Sequence, residues 1–189
     1  MKTTIVFAHP WEGSLSRSIL QCVTDELQRR GDEITLIDLY RDGFDPVMSE
    51  RDLSLYAQGQ SADPMVDRYN AILDQTERIL FLFPIWWYDM PAILRGFFDK
   101  VMLSGSAYTE DHEGMHPLRK IRDTLLLTTS SAPTESLIRD FGDPVRGTIV
   151  AGTFEAVGFF NAKWQNLGGI NGLSREEIAR YLDSIPELI

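Results

Sequence analysis

Apolar residues along this chain follow two alternating patterns: short continuous runs, and stretches in which they recur every three or four positions. The first marks strands covered on both faces, and the second marks helices with one apolar stripe. Ile5 to Ala8 reads as a first strand, and Leu15, Ile19, Val23 and Leu27 then repeat at helical spacing up to Arg29-Arg30-Gly31, a helix end. Ile34 to Tyr40 is a second strand. Met65, Val66, Tyr69, Ile72 and Leu73 predict a helix leading into Ile79 to Phe83, the expected centre of a parallel sheet. Ile93, Leu94, Phe97, Phe98 and Val101 form the stripe of a helix beginning near Pro91, with Asp89 as its cap. Leu125 to Thr128 predicts a fourth strand, Leu137 to Phe154 includes a helix, and Phe159 to Trp164 predicts a fifth strand. Ser174 with Glu177 predicts a capping box for a last helix carrying Ile178, Leu182 and Ile185. Arg41 to Pro64 mixes Gly, Pro, Ser and charges, and reads as a connection that is at most partly helical.

Strands alternating with helices, without a repeat or linker, predict an α/β fold: a doubly wound five-stranded parallel sheet with helices on both faces, residues 1–189 forming a single domain. Ligands of such sheets bind beyond the carboxyl ends of the strands, near the switch point. Three loops should therefore carry function: His9 to Ser16, Pro84 to Asp89, and Thr128 to Pro133.

Composition narrows the partners. The chain has 28 acidic and 18 basic residues, a formal charge of −10 that repels nucleic acid and anionic lipid surfaces. Its first apolar run is too short for a signal peptide, and Ile79 to Tyr88 is far below a membrane span, so a cytoplasmic protein without membrane insertion is expected. The lone Cys22 reads as a buried, reduced thiol. His9, His112 and His116 match no metal motif, and no metal site is expected.

In the first loop, Ser14 and Ser16 stand at a helix start, where free N–H groups and the helix dipole favour an anion; Ser14 also reads simply as an N-cap. In the second, Trp86-Trp87-Tyr88 sets three aromatics at the end of a buried strand, and three neighbours cannot all point inward. A planar heteroaromatic ligand would use such rings, and so would a patch for self-association. The third loop, Thr128-Thr129-Ser130-Ser131-Ala132-Pro133, offers hydroxyls and N–H donors. Neither a Walker lysine nor G-x-G-x-x-G is present.

Ala8-His9-Pro10 with Ser14-Leu15-Ser16, Asp38-Leu39-Tyr40 through Phe44-Asp45-Pro46, and above all Phe83-Pro84-Ile85-Trp86-Trp87-Tyr88 with Pro91-Ala92-Ile93-Leu94-Arg95-Gly96-Phe97-Phe98-Asp99 resemble the flavodoxin-like NAD(P)H:quinone oxidoreductases; Gly105-Ser106-Ala107-Tyr108 follows in the same pattern. The resemblance covers nearly the whole chain. It implies a flavin, FMN first and FAD as the alternative, since the chain lacks the carboxy-terminal extension of longer FAD-binding relatives. It also implies ping-pong hydride transfer from NAD(P)H through flavin N5 to a quinone or similar acceptor. His9, Ser14, Leu15 and Ser16 would hold phosphate and ribityl groups. Pro84, Ile85, Trp86, Trp87 and Tyr88 would contact the ring, and Thr128, Thr129, Ser130 and Ser131 would close its other edge. Family members are homodimers, so Tyr108 would wall the partner's pocket, and Phe97 and Phe98 would lie in the helix core or near the interface. A regulatory subunit docking on a membrane transporter and a one-electron carrier are the rival readings. The sequence departs from the family at Ser130-Ser131, where Gly-Gly is usual, and at Ser136 to Gly142, where the mammalian enzyme's tyrosine and histidine have no counterpart.

Overall fold

A computed structural model describes residues 1–189. The elements run β1 (Lys2–Phe7), α1 (Leu15–Arg29), β2 (Glu33–Asp38), α2 (Glu50–Tyr56), α3 (Pro64–Leu73), β3 (Arg78–Pro84) and α4 (Ala92–Val101). They continue through β4 (Tyr108–Asp111), β5 (Gly114–Pro117), β6 (Asp123–Thr129), α5 (Thr134–Arg139), a π-helix (Val145–Phe154), β7 (Lys163–Leu167) and α6 (Arg175–Leu188). The main sheet has the order β2-β1-β3-β6-β7 and is parallel throughout. This is the doubly wound arrangement predicted, and the order reverses between β1 and β3.

Period-two alternation divides the core. Ile5, Phe7, Leu80, Leu82, Leu125 and Leu127 face α1 and α6, meeting Ile19, Leu20, Val23, Leu27 and Ile185. Val6, Ile79, Phe81, Phe83 and Leu126 face the other way, onto α3 and α4. There Phe81, Phe98, Phe154 and Phe159 form a cluster with ring centroids 4.5 to 6.3 Å apart. Each fully buried side chain of this size contributes roughly 1.5–3 kcal/mol. Phe97 and Phe98 belong to this core, not to the surface.

The structure corrects several expectations. The fifth strand is Lys163–Leu167, not Phe159 to Trp164, because Gly158 and Asn161 take left-handed conformations and send the Phe159 ring into the core before pairing begins. The second strand ends at Asp38, where Asp42 N–H returns to the Asp38 carbonyl in a turn. Pro84 and Thr129 are the last, mutually paired residues of β3 and β6. Asp89 does not cap α4: Pro91 holds that position, and the Asp89 carboxylate accepts from Met90 N–H. Leu137 to Phe154 holds the end of α5 and the π-helix, and Cys22 is only partly buried. The β4–β5 hairpin was not predicted; His112 and Glu113 lie in its tip, and His116 Nε2 is 2.9 Å from Asp111 Oδ1.

The connection after β2 is ordered by charge. Ser49 and Asp52 form a capping box for α2, and Asp52 also accepts from Ser61 Oγ and Ala62 N. Those hydrogen bonds, Ser49 first, hold the Asp52 carboxyl down at about 2. Buried Lys100 donates to the Asp45 carbonyl and Asp63. Pro46 then lies directly on α4 at Gly96, where an added Cβ would stand 2.3 Å from the Pro46 carbonyl oxygen. Alanine is intrinsically the better helix former by about 1 kcal/mol, yet Gly96→Ala is expected to destabilise by about 2–3 kcal/mol, because backbone would have to move. A lowered urea midpoint with an unchanged slope would show it.

Candidate functional site

The parallel ladder brings three loops to one edge of the sheet. Pro84 and Thr129 end their strands as a pair, Phe7 ends β1 beside Leu82, and direct contacts join the loops that follow. Ile85 N–H donates to the Thr129 carbonyl at 2.7 Å, and Ser16 Oγ lies 3.4 Å from Thr129 Oγ1. The His9 and Trp86 rings meet edge to face with centroids 6.1 Å apart. His9, Ser16, Trp86 and Thr129, all singled out from the sequence, therefore form a continuous line.

In the first loop, Ser14 is the N-cap of α1, its Oγ accepting from Arg17 N–H at 3.1 Å. The hydroxyl proton remains available. Leu15 directs its side chain to the core, but the backbone N–H groups of Leu15 and Ser16 have no protein partner, as the start of a helix dictates. His9 Nδ1 accepts from Trp11 N–H, which assigns the ring proton to Nε2 as a donor. Burial, and then the nearby Arg17 charge, lower the His9 pKa below its ordinary 6.5. Arg17 was missed in the sequence. Its guanidinium bonds Asp38 at 2.9 Å and Glu12 at 3.1 Å and lies 4.3 Å over the Phe7 ring. The signal was a cation in the first turn of a helix, where the dipole disfavours it.

In the second loop, Trp86 and Asp89 exchange backbone hydrogen bonds at 3.0 and 3.1 Å around Trp87 (φ 50°) and Tyr88 (φ 66°). Two positive φ values inside a closed turn define the geometry usually filled by Asn-Gly. Bulky residues there cost about 1–2 kcal/mol each. Trp87 is 93% exposed, so no burial offsets that cost. The N–H groups of Trp87 and Tyr88 bond nothing within the protein.

The third loop is held from behind. Ser130 N–H donates to the Leu167 carbonyl, and Gly169 and Ile170 donate to Ala132 and Ser130. Asn166 on β7 bonds Thr128 Oγ1, Ser130 Oγ and Thr134 Oγ1 at 2.8 to 2.9 Å, and Trp164 Nε1 donates to Thr128. Thr128 thus turns toward β7. Ser130 Oγ also donates to the Ala132 carbonyl, and the residue is 3% exposed. The Ser130 hydroxyl is thus engaged within the protein, whereas Ser131, the other residue standing in place of Gly-Gly, is exposed and lines the cleft described next. Asn166, one of three polar residues in a five-residue edge strand, gave no sequence signal. The N–H groups of Ser131 and Ala132 are uncommitted.

Between the second and third loops lies a cleft of about 470 Å³, lined by Ile85, Trp86, Trp87, Tyr88, Ser130, Ser131, Ala132 and Leu137. Four N–H groups without a protein partner, those of Trp87 and Tyr88 in the second loop and of Ser131 and Ala132 in the third, belong to residues that line a largely apolar slot. That combination suits a planar heterocycle with acceptor atoms on its edges, and the Leu15 and Ser16 amides suit an anion attached to it. These residues fit a flavin. Tyr108 lies apart. Its hydroxyl is 3.0 Å from that of Tyr56, and both line a second cleft, of about 480 Å³, that shares no residue with the first.

Two outcomes follow from this geometry. Trp87→Asn, which accepts the left-handed conformation more readily, is expected to raise stability by about 1 kcal/mol, read as a higher urea midpoint. The His9 imidazole is expected to titrate below 6.5 by NMR. Because the unfolded chain then binds the proton more readily than the folded one, His9 lowers stability as pH falls through about 6.5, and His9→Gln abolishes that component.

A family model described as flavodoxin-like fold matches residues 1–188. An uncharacterized NAD(P)H oxidoreductase of Escherichia coli, YcaK, is 33% identical over 119 residues, 62% of this chain and 60% of that protein, so the match spans less than two thirds of that relative. An uncharacterized NAD(P)H oxidoreductase of Haemophilus influenzae is 29% identical over 175 residues, 90% of this chain and 85% of that one. The NAD(P)H:quinone oxidoreductase from Methanothermobacter marburgensis has a TM-score of 0.84 at 25% identity, covering 99% of this chain and 94% of that one. The order of its strands, the loops at their carboxyl ends and these likenesses agree, and the chain belongs to the flavodoxin-like fold family.

Proposed function

We propose that this protein is a flavin-dependent NAD(P)H:quinone oxidoreductase whose cleft between the second and third loops receives the flavin ring and, against its open face, the acceptor. The observation that carries this reading is an apolar slot lined by residues whose N–H groups have no protein partner, in loops that touch the α1 N-terminal loop through the contacts of His9 with Trp86 and of Ser16 with Thr129. The names of its relatives, NAD(P)H oxidoreductases and a quinone oxidoreductase, support the same activity.

When bound, the flavin supplies reversible two-electron chemistry, accepting hydride from NAD(P)H and passing it to the quinone. The protein supplies position and field. His9 Nε2, the Ser14 and Ser16 hydroxyls and the Leu15 and Ser16 amides hold one phosphate group, which FMN carries; FAD, with two, is the alternative. Pro84 and Ile85 carry the chain to the ring edge, and Trp86, Trp87 and Tyr88 cover it. The amides of Trp87, Tyr88, Ser131 and Ala132, which have no protein partner, would donate to acceptor atoms of the ring and so favour negative charge on it. Thr129 links the phosphate and ring ends, while Thr128 and Ser130 fix the third loop.

We further assign the second cleft to a second copy of the chain. Exposed Leu53 (66%) and Met115 (43%) beside Tyr108 suit a homodimer contact. No helix is long and apolar enough to cross a membrane, and a cytoplasmic location accords with the acidic charge and a lone unpaired thiol.

The purified protein is expected to hold or take up one FMN per chain, to be bleached by NADH or NADPH, and to regain its colour with a quinone. Visible spectra and chromatography of the released flavin measure this. A colourless protein that refuses both FMN and FAD overturns the reading.

A further inference from the structure

Tyr88 and Phe141 stack with ring centroids 4.0 Å apart and planes inclined by 25°. Tyr88 lines the first cleft, and Phe141, which is not among the lining residues, stacks on its ring. Tyr88 needs such a support. It sits at a left-handed position of a tight turn, is 39% exposed, and its hydroxyl bonds nothing, so stacking is what holds its side chain. Phe141 is itself well anchored. The chain turns at Gly142 (φ 71°) and Asp143 (φ 51°), and Asp143 N–H donates to the carbonyl of Leu137, a residue of the cleft wall. Arg146 then bonds Asp143 at 2.7 Å. The position of one half-exposed phenylalanine is thereby tied to the cleft on both sides.

We propose that Phe141 is a positioning residue that sets acceptor specificity: it holds the Tyr88 ring as a flat wall, so that the site prefers planar fused-ring acceptors to compact non-planar ones. The proposal rests on the reductase reading and names its substrate class. An offset stack biases the orientation of Tyr88 by roughly 2- to 10-fold, and that is the scale of the selectivity expected.

The test uses the flavin-loaded protein with two acceptors, 2-methyl-1,4-naphthoquinone, which is planar and bicyclic, and ferricyanide, which is compact and octahedral. Phe141→Leu keeps an apolar side chain but removes the ring, and Phe141→Tyr restores it. Leucine is expected to raise KM for the naphthoquinone about 2- to 10-fold with kcat little changed, to leave ferricyanide reduction within about 2-fold, and to be rescued by tyrosine. In NMR spectra of ring-labelled tyrosine, Tyr88 is expected to lose its ring-current shift in the leucine variant and regain it in the tyrosine variant, with or without flavin. A wild-type protein that reduces both acceptors while the leucine variant matches it on both, or loses both equally, overturns this inference alone. A Tyr88 signal unmoved by the leucine substitution also overturns it. A flavin-loaded wild type that reduces neither acceptor overturns the reductase reading and the inference with it.

Discussion

The site depends on β3 being paired on both sides. Arg78–Pro84 is hydrogen-bonded to β1 along one edge and to β6 along the other. Because all three strands run in the same direction, that pairing delivers their carboxyl ends together. The Ile85 bond to the Thr129 carbonyl and the approach of Ser16 to Thr129 are direct results of its register. A one-residue slip would reverse every side chain of β3 between the two cores and detach the aromatic turn from the third loop.

A second principle governs what the loops leave undone. Buried backbone groups are almost always paired, and here the strands, the turn and the β7 network pair nearly everything around the cleft. Among the amides that stay free are those of Leu15 and Ser16, Trp87 and Tyr88, and Ser131 and Ala132. Each lies where the chain bends too sharply, or a helix begins too abruptly, for a protein acceptor to reach it. Polar complementarity to an edge and a phosphate thus arises from ordinary turn and helix geometry, without a dedicated charged residue in the slot.

Much of this was legible in the sequence. Continuous apolar runs located β1, β3 and β6, because strands covered on both faces carry no alternation, and helical spacing located α1, α3, α4 and α6. The three loops followed from strand ends, and the aromatic triplet from the impossibility of burying three neighbours. What was not legible depends on contacts remote in sequence. Asn166 acts on residues more than thirty positions away, and Arg17 answers to Asp38 across a helix and a turn. Phe159 looked like a strand because it is apolar, yet left-handed residues on either side give it to the core instead. The β4–β5 hairpin is polar on its surface and carries no periodic signal.

The attachment of the third loop to β7 has a dynamic side. β7 is the outermost strand, paired only with β6, and its burial is partial along its length. Outer strands open more readily than central ones, in local fluctuations that leave the rest of the fold intact. When β7 frays, the bonds from Asn166 and Leu167 open with it, and Ser130 is released from behind the cleft. The order of one cleft wall is therefore coupled to the opening equilibrium of a peripheral strand, and a ligand seated against that wall would feel how often the strand lets go.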